Sequence, residues 1–79
     1  MKDYQKQRVD GILVNCSKAE NVNTEDHLLN DLGMDSLDLV EAVMLIEQEF
    51  NIALDDETFL DHLTVGGVYG VIDYELSRV

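Results

Sequence analysis

A catalytic nucleophile needs a base within reach, and this sequence offers few of either. Cys16, His27 and His62 are its only cysteine and histidines, and nothing in their spacing brings them together. Zinc needs Cys and His grouped at ligand spacing, which one Cys and two distant His do not provide. Calcium is worth testing because carboxylates abound. An EF-hand needs acids at loop positions 1, 3, 5 and 12 and Gly at position 6. Counted from Asp31, those rules meet Gly33, Ser36 and Ala42 in the wrong places. No Gly-rich phosphate loop and no basic patch interleaved with aromatics occurs. The chain is therefore expected not to catalyse by itself. Both histidines read as surface residues, and Cys16 as a buried structural thiol.

One segment remains, Asp31-Leu32-Gly33-Met34-Asp35-Ser36-Leu37-Asp38. It puts a serine among acids at the start of a long helix. Taken alone, Ser36 is a helix N-cap, a common use of serine.

The elements that must position this segment are helical. From about Asp3 to Ser17, Val9, Ile12, Leu13 and Cys16 fall within one arc of about 100°, an amphipathic helix. Residues 18–35 read as a long connection with turn formers Asn21, Asn23, Thr24 and Asp26, a turn at Gly33, and anchors Leu28, Leu29 and Leu32. From about Ser36 to Phe50 runs the strongest helix, capped by Asp35 or Ser36 and closed by Asn51. Leu39, Ala42, Val43, Ile46 and Phe50 form its core arc. Leu37, Val40 and Met44 form a second arc, bordered by Glu41 and Glu47. Asp55 or Asp56 opens a short helix to about His62, with Phe59 and Leu63 as its apolar pair. Thr64 caps a last helix to about Leu76, with Val65, Val68, Tyr69, Ile72 and Leu76 on one face. Gly66, Gly67 and Gly70 fall opposite, each costing about 1 kcal/mol against alanine, so this helix is expected to open easily. The expected fold is all-α, a small bundle of three main helices plus one short one. Nothing alternates at period 2 for long enough to be a strand.

Composition sets further bounds. Seventy-nine residues make a single domain, 1–79, too small for a deep multi-element active site. The 46% apolar content suffices for a core. A net charge of −12 argues against nucleic acid and against anionic membranes. The longest apolar run, Ala42 to Ile46, is far short of the ~20 residues of a membrane span. No secretory signal is visible, and a lone cysteine suits a reducing cytoplasm. The charge is also uneven: of the 17 acids only Asp3 and Asp10 precede Glu20, and of the 5 bases only Arg78 follows Lys18. Such an acidic surface either solvates the protein or steers basic partners.

Leu32-Gly33-Met34-Asp35-Ser36-Leu37-Asp38 resembles the extended Asp-Ser-Leu motif of the acyl carrier protein family, and so does the following Val40-Glu41-Ala42-Val43-Met44-Leu45-Ile46-Glu47. Glu49-Phe50 and Thr64-Val65 continue the likeness, as do length, acidity and helix order. The resemblance implies an acyl-carrier-protein-like bundle. It implies that Ser36 is esterified with 4′-phosphopantetheine, and that Asp35 helps the phosphopantetheinyl transferase hold Mg²⁺. It implies that Leu37, Val40 and Met44 dock partner enzymes while Asp38, Glu41 and Glu47 meet their basic residues. The helix wheel had already set that apolar arc off the core, and an apolar centre with a charged rim is how interfaces are built. The expected role is to carry acyl intermediates as thioesters to acyl-transfer and elongation enzymes of fatty-acid, polyketide or related biosynthesis, as a monomer, without nucleic acid or membrane insertion. The chain departs from the family in lacking proline near Leu54-Asp55-Asp56 and in carrying Gln48 where an acid is common. The competing reading is an unmodified acidic interaction module in which Ser36 is only a cap.

Overall fold

Four helices account for the regular structure in the computed structural model, which describes residues 1–78. They are α1 (Asp3–Cys16), α2 (Ser36–Phe50), α3 (Asp56–Leu60) and α4 (Val65–Arg78). The all-α bundle with three long helices and one short one matches the sequence pattern. The only β pairing among the described residues is a single antiparallel bridge between His27 and Thr64.

The core follows the apolar arcs. Val9, Leu13 and Cys16 come from α1, Leu39, Ala42 and Ile46 from α2, Phe59 from α3, and Val65, Val68, Val71 and Ile72 from α4. Val43 and Phe50 of the α2 core arc, and Tyr69 and Leu76 of the α4 face, pack against it half-buried. Val71, outside the predicted α4 face, is buried as well.

Local chemistry sets the helix ends. Asn51 takes the left-handed conformation, φ 54°, that ends α2, and its N–H bonds the Glu47 carbonyl. Asp55 accepts from Thr58 N–H at 3.1 Å to start α3. The Thr64 hydroxyl accepts from Gly67 N–H at 3.0 Å to start α4. The short helix ends at Leu60, two residues before the expected His62.

The long connection is pinned as its leucines suggested, with one exception. Leu28 and Leu32 are buried, but Leu29 is exposed, and Met34 is buried in its stead. Leu28 N–H bonds Leu63 O at 2.8 Å, and Val65 N–H bonds Asp26 O at 2.9 Å. The His27 Nδ1 accepts from the N–H groups of Leu29 and Asn30, so this histidine organises a turn.

The glycines of α4 have a different use from the one expected. Gly66 N–H bonds Thr24 O at 2.8 Å, and a Cβ at Gly66 would lie 2.7 Å from Thr24 Cγ2. A Cβ at Gly67 would lie 3.0 Å from the His62 carbonyl oxygen. These two positions admit the neighbouring backbone at close range, so they tighten the first turn of α4. Only Gly70 faces open space.

Candidate functional site

Asp35, not Ser36, caps α2. The Asp35 carboxylate accepts from Asp38 N–H at 2.9 Å, and the Asp38 carboxylate accepts from Asp35 N–H at 3.1 Å. This reciprocal box satisfies two backbone donors. It also frees Ser36 from the capping task that serine commonly has. Ser36 is the first residue of the helix proper and is exposed. Its hydroxyl makes no hydrogen bond among the described residues. The entry to this point is held firmly: Gly33 turns with φ +70°, Met34 is buried, and Met34 N–H bonds Leu28 O at 3.0 Å.

Beyond Ser36, the second apolar arc of α2 faces outward. Leu37, Val40 and Met44 are 79%, 57% and 53% exposed. Between α2 and α3 lies a groove of about 400 Å³. Ser36 stands at its N-terminal end and Glu47 toward its far end, with Val40, Val43, Met44 and Phe59 along its walls. Leu60 also lines it and is itself exposed. Sequence reasoning missed Leu60 and Asp56 as groove residues, and read Phe59 only as one of the apolar pair of the short helix. An apolar side chain one residue past the core position of a short helix was the available signal.

The acids of α2 divide around the stripe. Glu41 points toward α1, where its Oε1 accepts from the Cys16 thiol at 3.4 Å. Burial, then the Glu41 hydrogen bond, then the Glu41 and Asp38 charges push the Cys16 thiol up to about 11. It is therefore a protonated, unreactive thiol near neutral pH. Glu47 lies on the opposite border, and its Oε2 accepts from Leu54 N–H at 2.8 Å. Asp35, Asp38, Glu41 and Glu47 have no cation within ion-pair distance among the described residues. Their negative field is uncompensated by any ion pair among the described residues. The structure thus brings Ser36, Val40, Met44 and Glu47 to one groove, leaves Leu37 exposed on the same stripe, and sets Asp35 and Asp38 at the helix start. Among the described residues no group of three or more His, Cys, Asp or Glu is arranged to hold a metal ion.

The pieces fit a phosphate-linked group on Ser36. Besides the free hydroxyl, the N–H groups of Ser36 and Leu37 have no hydrogen-bond partner among the described residues. Such orphan donors at a helix N-terminus suit an anion.

Comparison with known proteins bears on this geometry. The family described as "Phosphopantetheine attachment site" matches residues 11–72. The mitochondrial acyl carrier protein of Neurospora crassa is 38% identical over 80 residues, covering 98% of this chain and 58% of that protein. The acyl carrier protein of Cyanidium caldarium is 40% identical over 60 residues, covering 76% of this chain and 66% of that one. The chain thus spans less than two thirds of the length of either relative. With the family match running through all of α2 and α3 and most of α4, the chain belongs to the acyl carrier protein family, whose domain carries a phosphopantetheine attachment site.

Proposed function

We propose that the Ser36 hydroxyl is the attachment point of 4′-phosphopantetheine, and that this chain carries acyl intermediates as thioesters on that arm to partner enzymes. The observation that carries the reading is the state of Ser36. It is an exposed hydroxyl with no hydrogen bond among the described residues, on the first residue of α2, at the end of an apolar groove. No base is needed on this chain, because the transferase can supply one. The arm, when bound, supplies the thiol that carries the acyl group. The chain's own residues anchor and shelter. The Ser36 and Leu37 N–H groups meet the phosphodiester anion, and the groove walls keep water from an acyl chain. The second carboxylate oxygen of Asp35, which the cap does not use, is the atom we assign to Mg²⁺ assistance during modification.

The partners are a phosphopantetheinyl transferase and acyl-transfer and chain-elongation enzymes with basic docking surfaces. Leu37, Val40 and Met44 form the apolar centre of the docking face, and Asp38, Glu41 and Glu47 its acidic border. Unpaired acids speed encounter with basic partners, while the apolar centre holds them. The chain acts as a monomer in fatty-acid, polyketide or related biosynthesis. No helix among the described residues is long and apolar enough to cross a membrane. A reducing compartment suits the free Cys16. The cytoplasm is our reading; the Neurospora relative is named as mitochondrial.

The test is incubation with coenzyme A, Mg²⁺ and a broad-specificity phosphopantetheinyl transferase, followed by intact mass. A gain of one phosphopantetheinyl group, absent in Ser36→Ala, is the expected result. A well-folded sample that gains nothing overturns the reading and leaves an unmodified acidic interaction module.

A further inference from the structure

Glu47 holds the connection between α2 and α3 at three N–H groups. Its carbonyl accepts from Asn51 and Ile52, and its carboxylate accepts from Leu54 at 2.8 Å. The element this connection leads to is short. α3 has five residues and one buried side chain, Phe59. A helix of that length has no stability of its own. Asp55, Asp56, Glu57 and Asp61 surround it, and none has an ion-pair partner among the described residues. With the Glu47 charge they repel one another, which favours moving α3 outward. At its entry the place of α3 over the groove rests on buried Leu54 and on the bond from Leu54 N–H to Glu47; further along it is held by Phe59, by packing on α4 and, past its end, by the bond from Leu28 N–H to Leu63 O. The same Glu47 lines the groove, whose other polar residues are Ser36 and Asp56.

We infer that Glu47 is a positioning residue: by holding Leu54 it keeps α3 against α2 and sets how long a saturated acyl chain the groove takes in. This rests on the carrier reading proposed above. A saturated chain matches the apolar walls and offers the carboxylate no donor. A chain longer than the closed groove must push α3 away, and the hydrogen bond to Leu54 resists that movement.

The experiment uses the full chain, modified at Ser36 and loaded with butanoyl, octanoyl, dodecanoyl or hexadecanoyl groups. It compares the natural protein with Glu47→Gln, Glu47→Asp and Glu47→Ala. Glu47→Gln keeps an acceptor without charge; Glu47→Asp keeps the charge without the reach. The readouts are the melting temperature against chain length and, in unloaded protein, exchange of the Leu54 amide. In the natural protein the melting temperature rises with chain length and then levels off. In Glu47→Asp and Glu47→Ala the Leu54 amide exchanges about tenfold faster, and the levelling moves to a longer chain. Glu47→Gln, which keeps the acceptor and loses a repelling charge, levels at the natural length or a shorter one. If Glu47→Asp or Glu47→Ala levels at the natural length, or Glu47→Gln levels at a longer one, the inference fails while the carrier reading stands. If loading occurs but chain length changes nothing in any of the four proteins, the sheltered-chain part of the carrier reading fails, and this inference with it.

Discussion

Toward α1, the side chains of α2 are packed and paired; toward α3 they line a gap. On the first side Ile46 is fully buried with Val9 and Leu13 in the same core, Arg8 ion-pairs with Glu49 at 2.5 Å, and Cys16 donates to Glu41. The same half joins α1 to α4, where the Tyr69 hydroxyl donates to Asp10 and Lys6 lies over the Tyr69 ring. Burial, and then the bond to Asp10, raise the Tyr69 hydroxyl above its ordinary range. On the other side stand exposed Val40, Met44 and Leu60, a groove of about 400 Å³, and acids without cations. The difference follows from where the bases lie. Arg8 of α1 pairs with Glu49 of α2, and no base pairs with an acid of α3 among the described residues. One half is built to stay shut and the other to be entered.

Ser36→Ala separates the two halves most sharply. It is expected to abolish the mass gain completely yet change stability by no more than about 0.5 kcal/mol, because the hydroxyl is exposed and unbonded. Intact mass and urea unfolding together check this, and a large loss of stability would make Ser36 a structural residue after all.

Next in size is the contrast between two apolar residues of one helix. Ile46→Ala should cost about 2–5 kcal/mol, as a buried truncation does. Met44→Ala should cost no more than about 0.5 kcal/mol, as exposed positions do, while weakening partner binding. Similar unfolding midpoints for the two would erase the distinction between the faces.

The Cys16–Glu41 contact makes a pH-dependent claim. The folded thiol titrates at about 11 against an ordinary value of 9.0. Its contribution is therefore fully present below about pH 9 and lost as pH rises toward 11. Stability measured from pH 8 to 11 should fall; Cys16→Ala should make the fall shallower, chiefly below pH 10, and the raised Tyr69 hydroxyl should keep part of it above pH 10. At pH 8 the folded thiol should resist iodoacetamide, which the denatured chain takes up readily. Rapid alkylation of the folded protein would show that the α1 side is looser than described.

Smallest is the effect of salt. Screening should relieve the acids of the α3 side and raise the melting temperature by a few degrees, on a scale where ~1 kcal/mol is about 4–8 °C. The gain should shrink when Asp56 and Glu57 are both made amides. It should not shrink in Glu49→Gln, whose carboxylate is already paired. Equal gains in all three would place the repulsion elsewhere.

Much of this was legible because it is local. Helical period alone sorted Leu39, Ala42 and Ile46 inward and Leu37, Val40 and Met44 outward. Asp35 or Ser36, Asn51, Asp55 or Asp56, and Thr64 announced the helix ends, since a cap acts within three or four residues, and the structure took Asp35 and Asp55. Leu29 failed as an anchor and Met34 took its place because periodicity has no purchase in a loop. The glycines are a related case. Propensity treats Gly66 as a weak point in a helix, whereas its use lies in the contact with Thr24, far away in sequence.

By itself the sequence determined the helices, their inner and outer faces, the acidic excess, and a serine at the head of the longest helix. All of these depend on residue type and short spacing. Only the tertiary structure decided that Glu41 turns to Cys16 while Glu47 turns to Leu54, and that α3 stands off from α2 to leave a groove. Those outcomes depend on which side chains meet across the bundle, and a polar group takes whichever partner packing brings within hydrogen-bond reach.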